Sequence, residues 1–329
     1  MRMVIDWEHH FLPEELMLRK GGKKGEQTVV YENGRARGNL RPELGDIEEH
    51  LRVMDDSGID MAVLSIAVSS EEPQAALEEC RLWNDCAAAV VRRYPKRFAA
   101  LAPIPPLGGQ AAFAELKRAV EELGLKGVVV RSQADGKSMD NRDLYPFYER
   151  VSALKVPVFI HPSGVQHGMS ILDAPYDLGR SIGRELDLIV ATTRLILSGV
   201  VDDFSDLKFV ISHKGGGIVA VKERIEYQFG CTGWPGTRPG GTRNRLPFDQ
   251  CFEKLYFNLA GSHGGMNSVR AALLDISPKR LVFGTDYPQE FSTDLPNLKA
   301  YVDNMKKLDI DEESREAILG GNAKALLGL

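Results

Sequence analysis

The chain has 329 residues, of which 43% are hydrophobic and 26% charged, and its net charge at neutral pH is −5. That balance marks a globular chain and argues against a nucleic-acid binder, which carries a basic excess. No apolar run approaches the roughly 18 residues of a membrane span. Cys80, Cys86, Cys231 and Cys251 form no C-x-x-C pair. With no apolar leader before a small-residue cleavage site, they are expected as reduced thiols in a cytoplasmic protein.

Short Val- and Ile-rich runs alternate with longer amphipathic segments. Strands are expected over residues 4–10, 61–68, 98–103, 127–131, 156–161, 208–213, 255–259 and 280–286, each followed by a helical pattern. The first helical stretch reads "DIEEHLRVMDDSGI" and the last "LPNLKAYVDNM". Strand–helix alternation specifies parallel strands. Eight such units with none left over favour an α/β fold of the (β/α)8 TIM-barrel type over an open doubly wound sheet. Residues 1–329 read as one domain. Residues 12–43 form a Gly/Lys/Arg-rich insertion after strand 1. Residues 231–254 form a long stretch with little periodicity, a candidate interface or lid, and residues 309–329 read as two closing helices.

A barrel carries its site at the C-terminal ends of its strands. Strand 1 ends "DWEHH", strand 5 "VFIHPSG" with His161, strand 6 "FVISHKGGG" with His213, and strand 8 "LVFGTDYP" with Asp286. Alternation along strand 1 puts Asp6, Glu8 and His10 on one face, expected to point into the barrel mouth. Trp7 and Phe11 are expected to pack outward against helices. Inward carboxylates and imidazoles need a partner, since burying them unpaired costs several kcal/mol. A divalent cation meets that need, Zn²⁺ first, with Mn²⁺ or Fe²⁺ as alternatives. His9, His50, His167 and His263 read as structural.

The stretches "IDWEHHFLP", "RVMDDSGIDMAVLS", "RRYPKRFAALAPIP", "PVFIHPSG", "FVISHKGGG", "VFGTDYP" and "GNAKALLGL" run in order along nearly the whole chain. They resemble the metal-dependent decarboxylase branch of the amidohydrolase superfamily, which includes the aminocarboxymuconate-semialdehyde and resorcylate decarboxylases. The resemblance implies one divalent metal per chain, held by Glu8, His10, His161 and Asp286. It gives Asp286 a second role in proton transfer, and makes His213 an acid/base beside the metal. Arg224, eleven residues after that histidine, is implied to bind the substrate carboxylate, in some members from the neighbouring subunit of a homodimer. A second substrate-binding arginine matches Arg35 or Arg37, with Arg37 taken here. Binuclear relatives use a carbamylated lysine at the end of strand 4; this chain has "VVVRSQ" there.

The implied activity is non-oxidative decarboxylation of an aromatic or conjugated carboxylic acid such as a hydroxybenzoate. The alternative is opening of a lactone or ester through metal-bound hydroxide. The partner is then a small anionic substrate, with no nucleic acid and no membrane. The strand 7 stretch "YFNLAGSHGG" departs from the decarboxylase pattern, in which an acidic or Thr residue often follows the aromatic. Rival motifs are poorer. "GGGIVA" (215–220) fits a dinucleotide turn only loosely, because the next strand ends without an acid. "AGSHG" around Ser262 resembles a nucleophile elbow, but no histidine follows residue 263 to serve as its base. "RPGGTRNR" (238–245) reads as a solvated loop rather than a nucleic-acid patch.

Overall fold

Among the described residues, eight parallel strands follow one another in space as they do in sequence. The computed structural model describes residues 3–32, 35–68, 73–163, 172, 176, 178–230 and 242–329. The strands are β1 (Ile5–His10), β2 (Met61–Ser65), β3 (Phe98–Ala100, continued by Ala102–Pro103), β4 (Val128–Arg131), β5 (Val158–His161), β6 (Phe209–Ile211), β7 (Tyr256–Asn258) and β8 (Leu281–Val282). Each pairs with the next in parallel register. The ring closes where Trp7 N donates to Phe283 O at 2.9 Å, Asp286 N to Glu8 O at 2.8 Å, and His10 N to Tyr287 O at 2.7 Å. A closed ring leaves no open sheet edge.

The connecting helices are α1 (Ile47–Ser57), α2 (Pro73–Arg93), α3 (Gly109–Lys117), α4 (Tyr145–Leu154), α5 (Ile182–Leu197), α6 (Val219–Gly230), α7 (Met266–Ala272) and α8 (Leu295–Lys306). Local chemistry sets several boundaries. The Asp46 side chain accepts from Glu49 N at the start of α1, and Gly58 ends that helix in the left-handed conformation. Asp294 caps α8 in the same way through Asn297 N.

Successive strand residues fall into two hydrophobic layers. Ile5, Trp7, Met61, Val63, Ala99, Leu101, Val129, Phe159, Val210 and Val282 fill the barrel interior, closed at one end by Ala323 and Leu327. Their neighbours, such as Ala62, Leu64, Val128, Ile160 and Ile211, pack outward with helix residues including Leu77, Trp83, Phe147, Leu195 and Leu298. The barrel is therefore a packed core whose site can lie only at its mouth.

Strand β1 departs from the expected alternation. Asp6 stands opposite Ala62 and His9 opposite Leu64, so three steps on β1 span two on β2. This bulge turns two consecutive residues to the inner side. Trp7 enters the barrel core, edge-on to Phe159 with ring centroids 6.3 Å apart, and Glu8 stands in the mouth. Trp7 thus packs inward rather than against helices, and Asp6 faces the opposite side with His9. Phe11 packs outward against Trp83 as expected.

The insertion after β1 contains the helix Glu14–Arg19 and an antiparallel hairpin, Thr28–Glu32 with Arg35–Leu40. The C-terminal segment runs helically from Glu312–Glu316 through the π-helical turn Ala317–Gly321 into Asn322–Leu327. It is one bulged run where two helices were expected. Its residues Ala323 and Leu327 reach the inner layer, and Ile318 O accepts from Phe283 N at 2.9 Å. Among the described residues no helix is long and apolar enough to cross a membrane.

Candidate metal centre

Glu8, His10 and His161 offer one ligand atom each within 4.8 Å of one another. Glu8 Oε1 is the hub. It lies 3.4 Å from His161 Nε2, 3.8 Å from His213 Nε2 and 3.9 Å from His10 Nε2. Asp286 borders the same space, with Oδ1 2.8 Å from His10 Nε2 and Oδ2 3.9 Å from His213 Nε2. Glu8 is fully buried, and His10, His213 and Asp286 are at most 5% exposed. The four strands expected to supply the site bring these five side chains together.

The other nitrogen of each imidazole is engaged away from this space. His10 Nδ1 donates to Ser65 O at 3.2 Å, His161 Nδ1 to Pro162 O at 3.1 Å, and His213 Nδ1 to Glu185 Oε1 at 3.0 Å. Carbonyl and carboxylate oxygens accept, so each Nδ1 carries the proton and each neutral ring presents a bare Nε2 lone pair to the centre. Asp286 Oδ1 and His213 Nε2 are buried without a hydrogen-bond partner among the described residues. The 2.8 Å approach of His10 to Asp286 Oδ1 is thus an electrostatic contact off the hydrogen-bond direction. Lone pairs aimed at one point, two carboxylates among them and orphaned acceptors beside them fit a single divalent cation.

The electrostatics carry the same conflict. Burial raises Glu8, and Asp286 adds to this, while His213 and His10 oppose it. Burial lowers His161, and His10 and His213 lower it further. Burial also works against charge on His10, yet Asp286 and Glu8 lift it to about 9. Burial opposes the Asp286 carboxylate, but His10 and His213 hold it below the usual range. For His213 burial is outweighed by Glu185 and Glu8, and its pKa rises. A divalent ion would resolve these demands by balancing both carboxylates while the imidazoles that hold it stay neutral.

Several residues that hold the site were not singled out in the sequence. Ser212 Oγ reaches both Glu8 oxygens, at 3.0 and 2.8 Å, and Asn258 Nδ2 also donates to Glu8. Both stand at strand ends, the kind of position that also marks His213. Glu185 lies on α5, where no strand-end rule points. His213 begins a left-handed run: φ is 49° at His213, 57° at Lys214 and 64–77° over Gly215, Gly216 and Gly217. Gly216 is required there, because a Cβ would sit 2.0 Å from Glu185 O. This glycine turn therefore packs onto α5, beside the residue that holds His213. Gly261, in the loop after β7, is also required: a Cβ there would lie 2.2 Å from the His213 ring.

Arg224 lies on an exposed face of α6. Arg37 lies on the hairpin strand Arg35–Leu40, and its side chain, like those of Glu32, Arg35 and Ala36, falls outside the described residues. So do residues 231–241, with Cys231, and residues 164–171, with His167. Cys80, Cys86 and Cys251 are free thiols. Arg243 N donates to Leu197 O at 2.7 Å, and Arg245 engages Asp202 and Asp203, so this part of the basic stretch is tied to the barrel wall.

The amidohydrolase family model matches residues 5–329. A gamma-resorcylate decarboxylase from Polaromonas sp. (strain JS666) is 30% identical over 346 residues, spanning all of this chain and 99% of that protein. A solved dihydroxybenzoic acid decarboxylase from Polaromonas sp. JS666, with bound manganese and the inhibitor 2-nitroresorcinol, is 28% identical with a TM-score of 0.79, covering 100% of this chain and 98% of that one. A 2,6-dihydroxybenzoate decarboxylase solved with 2,6-dihydroxybenzoate is 26% identical with a TM-score of 0.81, and each chain covers the other completely. The chain belongs to the amidohydrolase family.

Proposed function

We propose that this protein is a metal-dependent, non-oxidative carboxy-lyase acting on an aromatic or conjugated carboxylic acid of the hydroxybenzoate type. The convergence of three bare imidazole Nε2 atoms on Glu8 Oε1, at 3.4–3.9 Å, carries the reading. Glu8, His10, His161 and Asp286 would hold one divalent ion. The two oxygen donors, and the manganese in the Polaromonas relative, favour Mn²⁺ over Zn²⁺. Bound there, the ion supplies Lewis-acid polarisation of a substrate oxygen. The end of β4 has Arg131, Ser132 and Gln133 and no lysine, in keeping with a single ion.

The remaining chemistry belongs to the chain. Decarboxylation replaces a C–CO₂⁻ bond by C–H, so one proton must reach the carbon that bears the carboxylate. Asp286 delivers it, and His213, after taking a proton from solvent at the Nε2 that faces Asp286 Oδ2, resupplies Asp286. Protonation breaks the conjugation of the ring. Departure of carbon dioxide then returns the C–C electron pair to it. The packed barrel below keeps bulk water from that side of the substrate. Arg224 binds the anionic end of the substrate in the neighbouring subunit of a homodimer, and Arg37 does so from the hairpin.

A dissolved-CO₂ assay on metal-loaded protein tests the reading, with dihydroxybenzoates and muconate-type acids in one panel and lactones in another. CO₂ release from a member of the first panel is expected. Lactone opening with no CO₂ would replace the reading with the hydrolytic one.

A further inference from the structure

Behind the metal centre lies a second buried polar chain. Asp6 Oδ1 accepts from Thr285 N at 2.9 Å, and Asp6 Oδ2 accepts from Thr285 Oγ1 at 2.5 Å. His9 Nδ1 meets the same Oδ2 at 2.7 Å. His9 Nε2 lies 2.8 Å from His50 Nδ1, and His50 Nε2 lies 2.7 Å from Glu43 O. A carbonyl only accepts, so His50 Nε2 is the donor there, and His50 Nδ1 accepts from His9 Nε2. The chain is thus polarised from His9 toward the start of α1. Asp6, His9, His50 and Thr285 are all fully buried, and the ring of Tyr287 packs on both imidazoles, at 5.1 and 5.5 Å between centroids.

The chain ends on the residue that precedes Asp286. Asp286 has φ of 60°, a left-handed conformation that costs a non-glycine residue energy unless its surroundings enforce it. The polar groups around it are fixed on each side. Thr285 N is held by Asp6, Asp286 N by Glu8 O, and Tyr287 N by Thr285 Oγ1 at 3.1 Å.

We propose that Asp6, braced by His9 and His50, is a positioning residue that acts through Thr285 to hold Asp286 in its left-handed conformation with its carboxylate facing the metal centre. This rests on the proposed role of Asp286 as ligand and proton carrier. It explains why β1 is bulged. The bulge lets Glu8 and His10 face the centre while Asp6 and His9 face the back of it, so one strand supplies both the ligands and the brace.

Full-length Thr285→Val removes the hydroxyl at nearly constant shape, and Thr285→Ser restores it. Mn²⁺ affinity is read by titration of the Mn²⁺ paramagnetic resonance signal, and turnover by CO₂ release. Thr285→Val is expected to bind Mn²⁺ about tenfold more weakly, the scale seen for lost outer-shell partners. Its kcat should fall by a similar factor while KM stays within about twofold, and Thr285→Ser should recover both affinity and kcat. Asp6→Asn, which loses the acceptor for Thr285 Oγ1 and His9, should move the same quantities in the same direction if Thr285→Val does not fold. A folded variant of either kind with wild-type Mn²⁺ affinity overturns the proposal. The Mn²⁺ readout needs no substrate. A wild type that releases no CO₂, while Thr285→Val still loses affinity, would retire the decarboxylase reading and leave the brace standing.

Discussion

His213 donates its Nδ1–H to Glu185 Oε1 at 3.0 Å, and its Nε2, with no hydrogen-bond partner among the described residues, faces Asp286 Oδ2 at 3.9 Å. A helix residue thus orients an imidazole whose working nitrogen points at the proposed proton carrier. Glu185 also raises the His213 pKa against the effect of burial. In Glu185→Gln that support is lost and the pKa falls. The limb of the pH–kcat profile that reports His213 should therefore move to lower pH, with kcat reduced by roughly tenfold to a hundredfold. An unmoved profile would show that Glu185 does not act through His213.

On the proposed roles, His161 is a metal ligand and Asp286 a ligand that also moves a proton, so their variants should fail differently. His161→Ala should lose metal and activity together, measured as metal per chain after dialysis. Asp286→Asn should keep the fold, by thermal denaturation, and lose about a hundredfold or more in kcat. Stoichiometric metal in His161→Ala, or near-normal turnover in Asp286→Asn, would contradict these roles.

Gly261 and Gly264 have the same φ of 78°, so alanine strains the backbone similarly at either position. Only at 261 would the new Cβ strike the His213 ring, at 2.2 Å; at 264 the nearest atom is Tyr301 Cβ at 3.2 Å. Gly261→Ala should therefore lose activity well beyond its loss of stability, while Gly264→Ala should lose stability mainly. The comparison needs melting temperatures and kcat for both. Equal kcat losses at equal stability would remove Gly261 from the account of the site.

His50 is buried, and burial followed by its neighbour His9 brings its pKa down to about 3. An unfolded histidine titrates near 6.5. Between these values the unfolded chain binds a proton that the folded chain refuses. The stability that neutral His50 contributes is complete above about pH 6.5 and declines as pH falls toward 3, by up to about 1.4 kcal/mol per pH unit. Denaturant unfolding at pH 7.5 and pH 5 should show a smaller pH dependence in His50→Gln than in the wild type. Identical dependences would mean that His50 is not held neutral.

Much of this was legible in the chain because strand ends are positions that sequence can identify. Eight apolar runs with intervening helical patterns specify the barrel. Glu8, His10, His161, His213 and Asp286 stand where those runs stop. Simple alternation misplaces Trp7 and Asp6 on β1, because a bulge adds one residue between pairing positions and no composition signal marks it. Glu185 escaped for a different reason. It comes from a helix surface, where a glutamate is ordinary, and only the glycine turn at 215–217 packs it against His213. The pairing of Asp6 with Thr285 joins residues 279 apart, which local pattern does not connect.

The most direct test of the central claim is to run the reaction in deuterium oxide on a carboxyl-labelled dihydroxybenzoate with Mn²⁺-loaded protein. Labelled carbon dioxide should appear, together with a product carrying one deuterium at the carbon that bore the carboxylate. Both should vanish on chelation of the metal and in Asp286→Asn. A product that retains the labelled carboxyl group, whether hydrated or ring-opened, would contradict the account.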